Sequence, residues 1–354
     1  MCRWFAYCGT EATLLEDILV RPRHSIVKQI DEHFLPGLKE TYSPHTHKAT
    51  VSAAKASDTQ HNPNPLTNID GFGVGYYLGA TAEFNENGVQ IPTVYRNTRP
   101  ALNDLNFKSL CETTATKCAF CHIRAGTGLT PTVETNNHPF RFGRHLFMHN
   151  GVLANFKSIK VALLQKLSQK AYGNVLGTTD SEHVAALFFT HLGDDWDASY
   201  SIQDLKTAMT ATLRDLIALV RASGKASDVP PSSLNFAVTD GNVILAQRFS
   251  SHSNREPPSL YYSTVAGVTL NRKFPDHPDG PQHAASSSET ATKSKKPEEH
   301  GKHVIIASEP NTYKEQDWNL VPRNSFVLVD SALDVSIEAI PADLVEAIPA
   351  DVVN

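Results

Sequence analysis

The stretch that decides the fold is Met1–Thr10, which reads MCRWFAYCGT. Its apolar residues run without a break from Trp4 to Cys8, as is typical of a short strand buried on both faces. We therefore predict a strand over Cys2–Cys8, which places residue 2 where that strand enters the core. The stretch lacks the basic region, apolar core and cleavage site of a signal peptide, so we do not expect one.

Composition narrows the classes of protein that remain. The chain has 354 residues, 40% of them hydrophobic, and a formal net charge of −5. This length suffices for one large domain, and the negative charge argues against partners such as nucleic acid or a membrane surface. No apolar run approaches the roughly 20 residues that a membrane span needs. Five cysteines, an odd number, favour reduced thiols and a cytoplasmic location.

Further elements follow from hydrophobic periodicity and turn residues. The predicted strands are Gly71–Leu78, Lys117–Arg124, Arg144–His149 with a turn at Asn150-Gly151, Leu234–Thr239, Val243–Phe249, His303–Ala307 and Phe326–Val329. A hairpin turn is predicted at Asp240-Gly241-Asn242, between Leu234–Thr239 and Val243–Phe249. The predicted helices are Leu14–Val20, Ser25–Phe34, Phe156–Ala171, Ser181–Leu192 capped by Asp180, and Ile202–Ala222 capped by Ser201 and followed by Gly224. Because the strands form two groups around a helical middle without a regular βα repeat, we expect an α+β sandwich of antiparallel sheets.

The domain organisation is predicted to be simple. We expect one domain over residues 2–335, with a polar surface loop at 41–68 and a disordered insertion over about 275–302, where Ser, Lys, Glu, Pro and His dominate. Residues 336–354 form a predicted C-terminal tail. The motif EAIPAD occurs twice there, which is too few copies for a solenoid.

Cys2 is the first candidate for chemistry. Removal of Met1 would leave a thiol and a free α-amine on the same residue. The amine has a reference pKa of about 7.7–8.0, so it can take up the thiol proton near neutral pH. Cys2 would then supply both the nucleophile and its base. The alternative is that Cys2 is only a buried strand residue.

Three further positions supply groups that an amide under attack would need. Arg124 ends a strand before a Gly-rich turn, where its planar fork could bind a carboxylate, with Thr127 as a second donor. The Asn150 amide and the Gly151 backbone N–H could stabilise an oxyanion. Asp180 could bind an ammonium group. The alternatives are a surface ion pair, an ordinary Asn-Gly turn and a helix cap, respectively.

Cys118-Ala119-Phe120-Cys121-His122 matches the C-x-x-C-H pattern of covalent haem attachment. Two cysteines three residues apart on a strand face opposite sides, however, and no second close pair completes a zinc site with Cys111. We therefore expect neither a metal nor an organic cofactor. Ser308-Glu309-Pro310 follows a predicted strand and is assigned no catalytic role.

The order of these motifs resembles the class II, N-terminal-cysteine glutamine amidotransferases. It runs from Cys2 through H-x-R-x-x-T-G at 122–128 and F-x-H-N-G at 147–151 to T-D-S-E at 179–182. The resemblance implies the four-layer αββα sandwich of the N-terminal-nucleophile hydrolases. It also implies that Cys2 attacks a γ-amide, that Arg124 with Thr127 holds the α-carboxylate, that Asn150 and Gly151 form the oxyanion hole, and that Asp180 binds the α-ammonium group. Several members carry a bulkier residue where Ala125 stands, so the resemblance does not define the shape of the outer pocket.

The start MCRWFAYCG and the stretch Glu134–Gly143, ETNNHPFRFG, are similar to one branch of this family. That branch includes the amidotransferase-like subunit of the fungal glutathione-degradation complex and the bacterial γ-glutamyl hydrolase of the ergothioneine pathway. It implies hydrolysis of glutathione to glutamate and cysteinylglycine, with a metallopeptidase-like partner. Two alternatives remain: a glutaminase subunit that feeds ammonia to a separate synthetase, and a non-catalytic interaction subunit.

Overall fold

The computed structural model of the chain describes residues 2–29, 32–38, 62–63, 70–85, 88–126, 130–224, 230–252, 255–270 and 299–345. Several predictions fall outside these residues: nearly all of the loop at 41–68, the side chain of Thr127, most of the insertion at 275–302 and the tail beyond 345.

Two antiparallel β-sheets dominate the described residues. The strands are β1 (Arg3–Leu14), β2 (Glu32–His33), β3 (Asn62–Pro63), β4 (Phe72–Tyr76), β5 (Thr93–Asn97), β6 (Ala115–Ile123), β7 (Phe140–Phe142), β8 (His145–Val152), β9 (Ser233–Thr239), β10 (Ile244–Arg248), β11 (Tyr261–Ser263), β12 (His303–Ala307), β13 (Asn319–Leu320), β14 (Ser325–Val329) and β15 (Val335–Ala339). The helices are α1 (Leu15–Leu19), α2 (Thr81–Phe84), α3 (Leu105–Thr113), α4 (Phe156–Leu164), α5 (Gln169–Asn174), α6 (Asp180–Leu192), α7 (Ile202–Ala222) and α8 (Gly267–Leu270).

Strand order places β1 in the middle of the first sheet, which runs β13-β11-β12-β1-β6-β4-β5. The second sheet runs β15-β14-β10-β9-β8-β7, and β2 pairs with β3 in a short ribbon. Neighbouring strands pair antiparallel throughout the described residues. The predicted α+β class with antiparallel sheets is therefore confirmed.

Three apolar cores separate four layers. Trp4 and Phe120 of the first sheet meet Met148 of the second sheet in the middle core. The outer face of the second sheet packs on α6 and α7, and that of the first sheet packs on α1 and α3. Each fully buried Phe or Leu contributes about 1.5–3 kcal/mol of transfer free energy, so these cores hold the layers together. The layers follow in the order αββα, as expected.

Local signals located several elements accurately. Helix α7 spans Ile202–Ala222 as predicted, and Ser201 caps it through a capping box with Asp204. The hairpin of β9 and β10 turns at the predicted Asp240-Gly241-Asn242, where Gly241 adopts a φ of +97°. Residue Gly241 tolerates this left-handed conformation because it has no Cβ.

Other predictions were wrong at particular places. The helix predicted over Ser25–Phe34 is wrong for the described residues, of which 26–29 form turns and Glu32–His33 form β2. The long-range contact between His33 and Glu309 overrides the local helical pattern. The helix predicted over Phe156–Ala171 is broken into α4 and α5, and Ser168 caps the second of them.

The division at residue 335 stays a prediction. Strand β15 crosses that boundary, because its residues pair with β14 from Val335 to Ala339. The predicted tail thus begins inside an edge strand of the second sheet. Among the described residues, none of the helices combines the length and the apolar character that a membrane crossing requires.

Candidate active site

Cys2 lies half-buried directly before β1, where β1 meets the end of β6. Because Arg3 pairs with Ile123 in antiparallel register, Cys2 comes to lie beside Ala125, which follows β6. The Ala125 N–H donates to Cys2 Sγ across 3.3 Å, and Sγ lies 3.5 Å from the Ala125 carbonyl oxygen. Burial raises the pKa of the Cys2 thiol, despite the opposing Ala125 N–H and Arg124 charge. The thiol is therefore protonated at neutral pH and needs a base before it can attack.

Arg124 follows β6 and is only 3% exposed. Its Nη2 donates to Thr130 Oγ1 across 2.9 Å, and its Nη1 donates to the Pro131 carbonyl across 3.2 Å. These bonds fix the plane of the guanidinium one residue away from Ala125. A fixed, buried guanidinium with further N–H groups is suited to bind a carboxylate.

Asp70 is a second charged residue at this turn, and it stands in none of the motifs that predict the site. Its Oδ2 accepts the Gly126 N–H across 2.6 Å, and its own N–H donates to the Arg124 carbonyl across 3.3 Å. A Cβ at Gly126 would lie 3.3 Å from Asp70 Oδ2 and 3.6 Å from Arg124 Nη2. The turn thus passes between a carboxylate and a guanidinium. The one signal in the sequence was that Asp70 directly precedes a predicted strand.

Asn150 and Gly151 lie inside β8, opposite Asn235 and Leu234 of β9. The turn predicted at this pair is therefore wrong, because the strand continues to Val152 and pairs with β9 throughout. Pairing with a strand more than 80 residues away in sequence overrides the local turn preference of the Asn-Gly pair.

The Asn150 side chain is buried, with 1% exposed. Its Nδ2 donates to Ser308 Oγ across 3.4 Å, and its Oδ1 has no hydrogen-bond partner among the described residues. Gly151 adopts a φ of +149°, and a Cβ there would lie 1.8 Å from the Ser233 carbonyl oxygen. Only glycine fits at this position, which brings bare backbone next to Asn150.

Asp180 is the first residue of α6, not its cap. The cap is Thr179, whose Oγ1 accepts the Glu182 N–H across 3.3 Å. Asp180 Oδ2 instead accepts the Leu153 N–H across 2.9 Å, and Oδ1 accepts the Ser181 N–H across 2.8 Å. The carboxylate therefore reaches the backbone just after Gly151, at the end of β8.

Two hydrogen bonds join the sheets at this place. Ser308 Oγ accepts both the Trp4 N–H, across 3.0 Å, and the Asn150 amide. His122 donates from Nε2 to the His149 carbonyl across 3.0 Å. The structure thus links the Cys2 end of β1 to Asn150. Arg124 follows β6 on the first sheet, and Gly151 lies near the end of β8 on the second. Asp180 of α6 reaches this end of β8 through its bond to the Leu153 N–H. Thr127 lies outside the described residues.

The histidines beside these residues are buried and neutral. Burial lowers the pKa of His122 to about 3 and also lowers the pKa of His149. Cys118 and Cys121 point into different cores, as expected for residues three apart on a strand. Within the described ranges, no group of three or more His, Cys, Asp or Glu side chains is placed to hold a metal ion.

A cavity of about 390 Å³ opens beside β5 and β7 and is lined in part by Arg96, Arg141 and Glu182. None of the predicted site residues is among its lining residues. It is therefore distinct from the place where Cys2 meets Ala125.

Residues 50–339 match the family profile described as class-II glutamine amidotransferases. The chain belongs to this family. Arg124, Asn150, Gly151 and Asp180 fall within the matched range, whereas Cys2 precedes it. Family membership confirms the resemblance drawn from the order of the motifs, and it makes the protein an amidohydrolase acting on a γ-glutamyl amide.

Relatives of this class-II amidotransferase include two that match more than half of the chain. The probable glutamine amidotransferase DUG3 of Saccharomyces cerevisiae is 31% identical over 337 residues, which cover 93% of this chain and 82% of that protein. The gamma-glutamyl-hercynylcysteine sulfoxide hydrolase of Mycolicibacterium smegmatis is 25% identical over 190 residues, covering 54% and 63%.

Among solved structures, a glutamine aminotransferase class-II domain protein from Silicibacter pomeroyi superimposes with a TM-score of 0.55 at 19% identity. The match covers 96% of this chain and all of that chain. At this identity the likeness supports the fold alone, and it agrees with the αββα sandwich of the amidotransferase described above.

Proposed function

We propose that this class-II amidotransferase hydrolyses glutathione at its γ-glutamyl bond with Cys2 as the nucleophile. The observation that carries the proposal is the position of the Cys2 thiol. It lies against Ala125, the residue that follows the buried Arg124, and Ser308 bonds both Trp4 of the following strand and Asn150. An acyl group bound at Arg124 would meet a thiol on one side and an amide donor on the other.

The base in this proposal is the α-amine of Cys2 after removal of Met1. Burial raises the pKa of the Cys2 thiol, so the thiol does not ionise at neutral pH on its own. The neighbouring His122 and His149 are buried and have lowered pKa values, but neither is hydrogen-bonded to Sγ. The α-amine is on the same residue as the thiol, and its reference pKa of about 7.7–8.0 suits proton transfer near neutral pH.

Recognition of the γ-glutamyl end would use both charged side chains of the site. Arg124 donates from Nη1 to the Pro131 carbonyl and from Nη2 to Thr130 Oγ1, and it has further N–H groups for an α-carboxylate. Asp180 would bind the α-ammonium group, and Thr127 would add a donor beside Arg124. Glutamine and glutathione share this end, so the acyl half of the substrate is read in the same way in both.

The cycle has two halves. The α-amine takes the thiol proton, and Sγ attacks the γ-carbonyl carbon while the Asn150 amide and the Gly151 N–H stabilise the oxyanion. The tetrahedral intermediate collapses, the C–N bond breaks, and the ammonium returns its proton to the departing amine. Water then adds to the γ-glutamyl thioester and releases glutamate, and the thiol regains a proton.

The choice of glutathione rests on the relatives and on the branch resemblance. The mycobacterial relative is named as a hydrolase of a γ-glutamyl compound whose leaving group is far larger than ammonia. Glutathione carries the same γ-glutamyl linkage to a cysteine amine.

We also propose a metallopeptidase-like protein partner that would take the cysteinylglycine product. All five cysteines are free, which fits a reducing compartment, and we propose the cytosol.

The experiment measures glutamate release from glutathione and from glutamine by purified protein, alone and with a candidate metallopeptidase-like subunit. We expect Met1 to be absent, glutathione to be the better substrate, and Cys2→Ala to abolish release. Glutamate release from glutamine but not from glutathione would support the ammonia-supplying glutaminase and contradict the glutathione assignment. No release from either substrate by protein with free Cys2, under all partner conditions, would support a non-catalytic subunit.

A further inference from the structure

We propose that Ser308 and Glu309, the two residues directly after β12, are positioning residues that hold the nucleophile and the oxyanion donor in one geometry. This inference rests on the proposed roles of Cys2 and Asn150. It adds what keeps those two residues in register, although neither Ser308 nor Glu309 contacts the Cys2 thiol.

Glu309 lies fully buried behind Cys2, among charged and polar partners. Its Oε1 accepts from Arg3 Nε across 2.5 Å and lies 2.7 Å from His33 Nδ1. Its Oε2 accepts the Phe34 N–H across 2.8 Å and lies 3.6 Å from His24 Nε2. Burial alone would raise the pKa of Glu309, but the Arg3 charge and the His33 contact bring it down to about 2. The group is therefore an ionised carboxylate at the centre of a buried cluster.

Arg3 connects Glu309 to the proposed nucleophile, because it bonds both Glu309 and Cys2. While Nε bonds Glu309, Nη1 donates to the Cys2 carbonyl across 3.0 Å. The guanidinium is planar, so its orientation on Glu309 also sets the direction of the bond to Cys2. Once Met1 is removed, Cys2 has a covalent neighbour on one side only. The bond to its carbonyl is then one of the few restraints on where its Sγ points.

Ser308 connects β1 to the proposed oxyanion donor, because it bonds both Trp4 and Asn150. Its backbone N–H donates to the Trp4 carbonyl across 2.9 Å, and its Oγ accepts the Trp4 N–H across 3.0 Å. The same Oγ accepts the Asn150 Nδ2–H across 3.4 Å. Ser259 Oγ holds the Ser308 carbonyl across 2.7 Å. Ser308 is thus bonded to β1 two residues after Cys2 and to the Asn150 amide at the same time.

The dipeptide Ser308-Glu309 therefore fixes both the Cys2 peptide and the Asn150 amide, which belong to different sheets. Glu309 sets the Cys2 peptide through Arg3, and Ser308 sets the Asn150 amide. Misplacing a reacting group by about 1 Å can cost on the order of 100-fold in rate. Loss of either contact should lower kcat while leaving KM almost unchanged, because Arg124 and Asp180 keep their own contacts.

The test compares Ser308→Ala and Glu309→Gln with wild type, using the glutamate-release assay. Cys2→Ala serves as the inactive reference. The matched controls are Ser263→Ala and Glu256→Gln. Ser263 is a buried serine whose Oγ accepts two backbone N–H groups within its own turn, and Glu256 pairs with the buried Arg248 across 2.9 Å.

We expect kcat to fall at least about tenfold in Ser308→Ala and Glu309→Gln, with KM within about twofold of wild type. Ser308→Thr, which restores a hydroxyl, should regain part of that kcat. Both controls should keep kcat within about twofold. Melting curves of every variant establish that each is folded at the assay temperature. If Glu309→Gln does not fold, the Ser308→Ala and Ser308→Thr pair decides the outcome.

Wild-type kcat in Ser308→Ala, with Cys2→Ala inactive, would overturn the positioning role while leaving the proposed function intact. Equal losses in Ser263→Ala and Glu256→Gln would also overturn it, because the effect would then be general. Full activity in Cys2→Ala would instead overturn the proposed function itself.

Discussion

The Asn150 amide donates to the Ser308 hydroxyl across 3.4 Å, and this hydrogen bond crosses from one β-sheet to the other. Asn150 belongs to β8 of the second sheet, whereas Ser308 follows β12 of the first. The proposed oxyanion donor is therefore oriented by the sheet that carries the nucleophile. This relationship leads to the first prediction.

Asn150→Ala should lower kcat for glutamate release by about 100- to 1000-fold, the usual effect of removing one oxyanion donor. KM should change little, because the substrate carboxylate and ammonium groups are bound elsewhere. Asn150 makes one weak side-chain bond among the described residues, so the free energy of unfolding should fall by only about 1 kcal/mol. Steady-state kinetics and urea unfolding check both parts. Wild-type kcat in a folded variant would remove Asn150 from the mechanism.

Gly151→Ala should destabilise the protein by at least about 2 kcal/mol, through a strained backbone and a steric clash. Its φ is +149°, and the new Cβ would lie 1.8 Å from the Ser233 carbonyl. The matched control is Gly173→Ala in α5, where a Cβ meets nothing within 4 Å. That change should stabilise the protein by about 0.4–1 kcal/mol, because alanine restricts the unfolded chain. Equal effects of the two substitutions on urea unfolding would refute the argument.

Acid should begin to destabilise the protein above the pH range in which its carboxylates are protonated. Burial lowers the pKa values of a set of histidines: His122, His138, His145, His149, His183 and His303. These residues stay neutral in the folded state but become charged in the unfolded chain as the pH falls through about 6.5. The unfolded state then binds more protons, so stability is present above about pH 6.5 and is lost as the pH falls from there toward 4. His122 and His303, whose pKa values burial lowers to about 3 and about 4, each contribute up to about 1.4 kcal/mol per pH unit in this window.

His138→Phe offers a specific check of that pH dependence. His138 stacks on His122 with ring centroids 4.0 Å apart, and neither of its ring nitrogens has a hydrogen-bond partner among the described residues. An aromatic replacement therefore loses no described bond. Between pH 7 and pH 5 the free energy of unfolding of the variant should fall less steeply than that of wild type. The difference in slope should be at most about 1.4 kcal/mol per pH unit, which corresponds to one proton. A wild-type free energy of unfolding that is flat across this range would contradict the prediction.

The fold could be predicted where its signals are local. The Ser201 cap and the turn Asp240-Gly241-Asn242 act over a few residues, and both were located correctly. The helix predicted over Ser25–Phe34 was wrong, because His33 responds to Glu309, which is 276 residues away. Thr179 and Asp180 can both cap a helix, so sequence alone could not separate the cap from the first helical residue.

The residues of the candidate site also divide into those marked by local motifs and those placed by contacts between distant parts of the chain. Cys2, Arg124, Asn150, Gly151 and Asp180 could be proposed as site residues because each stands in a short motif and the motifs keep one order along the chain. Asp70 and Ser308 stand in no such motif. Their roles come from bonds to Gly126 and Asn150, which only the paired strands bring within reach.

The most direct test of the account is to locate the adduct of a glutamine-analogue electrophile, diazo-oxo-norleucine, by intact and peptide mass spectrometry. We predict a chain without Met1, one adduct per chain on Cys2, and loss of glutamate release in proportion to labelling. An active protein that retains Met1, or complete inactivation with the adduct on another residue and Cys2 unmodified, would contradict the assignment of Cys2 as the nucleophile.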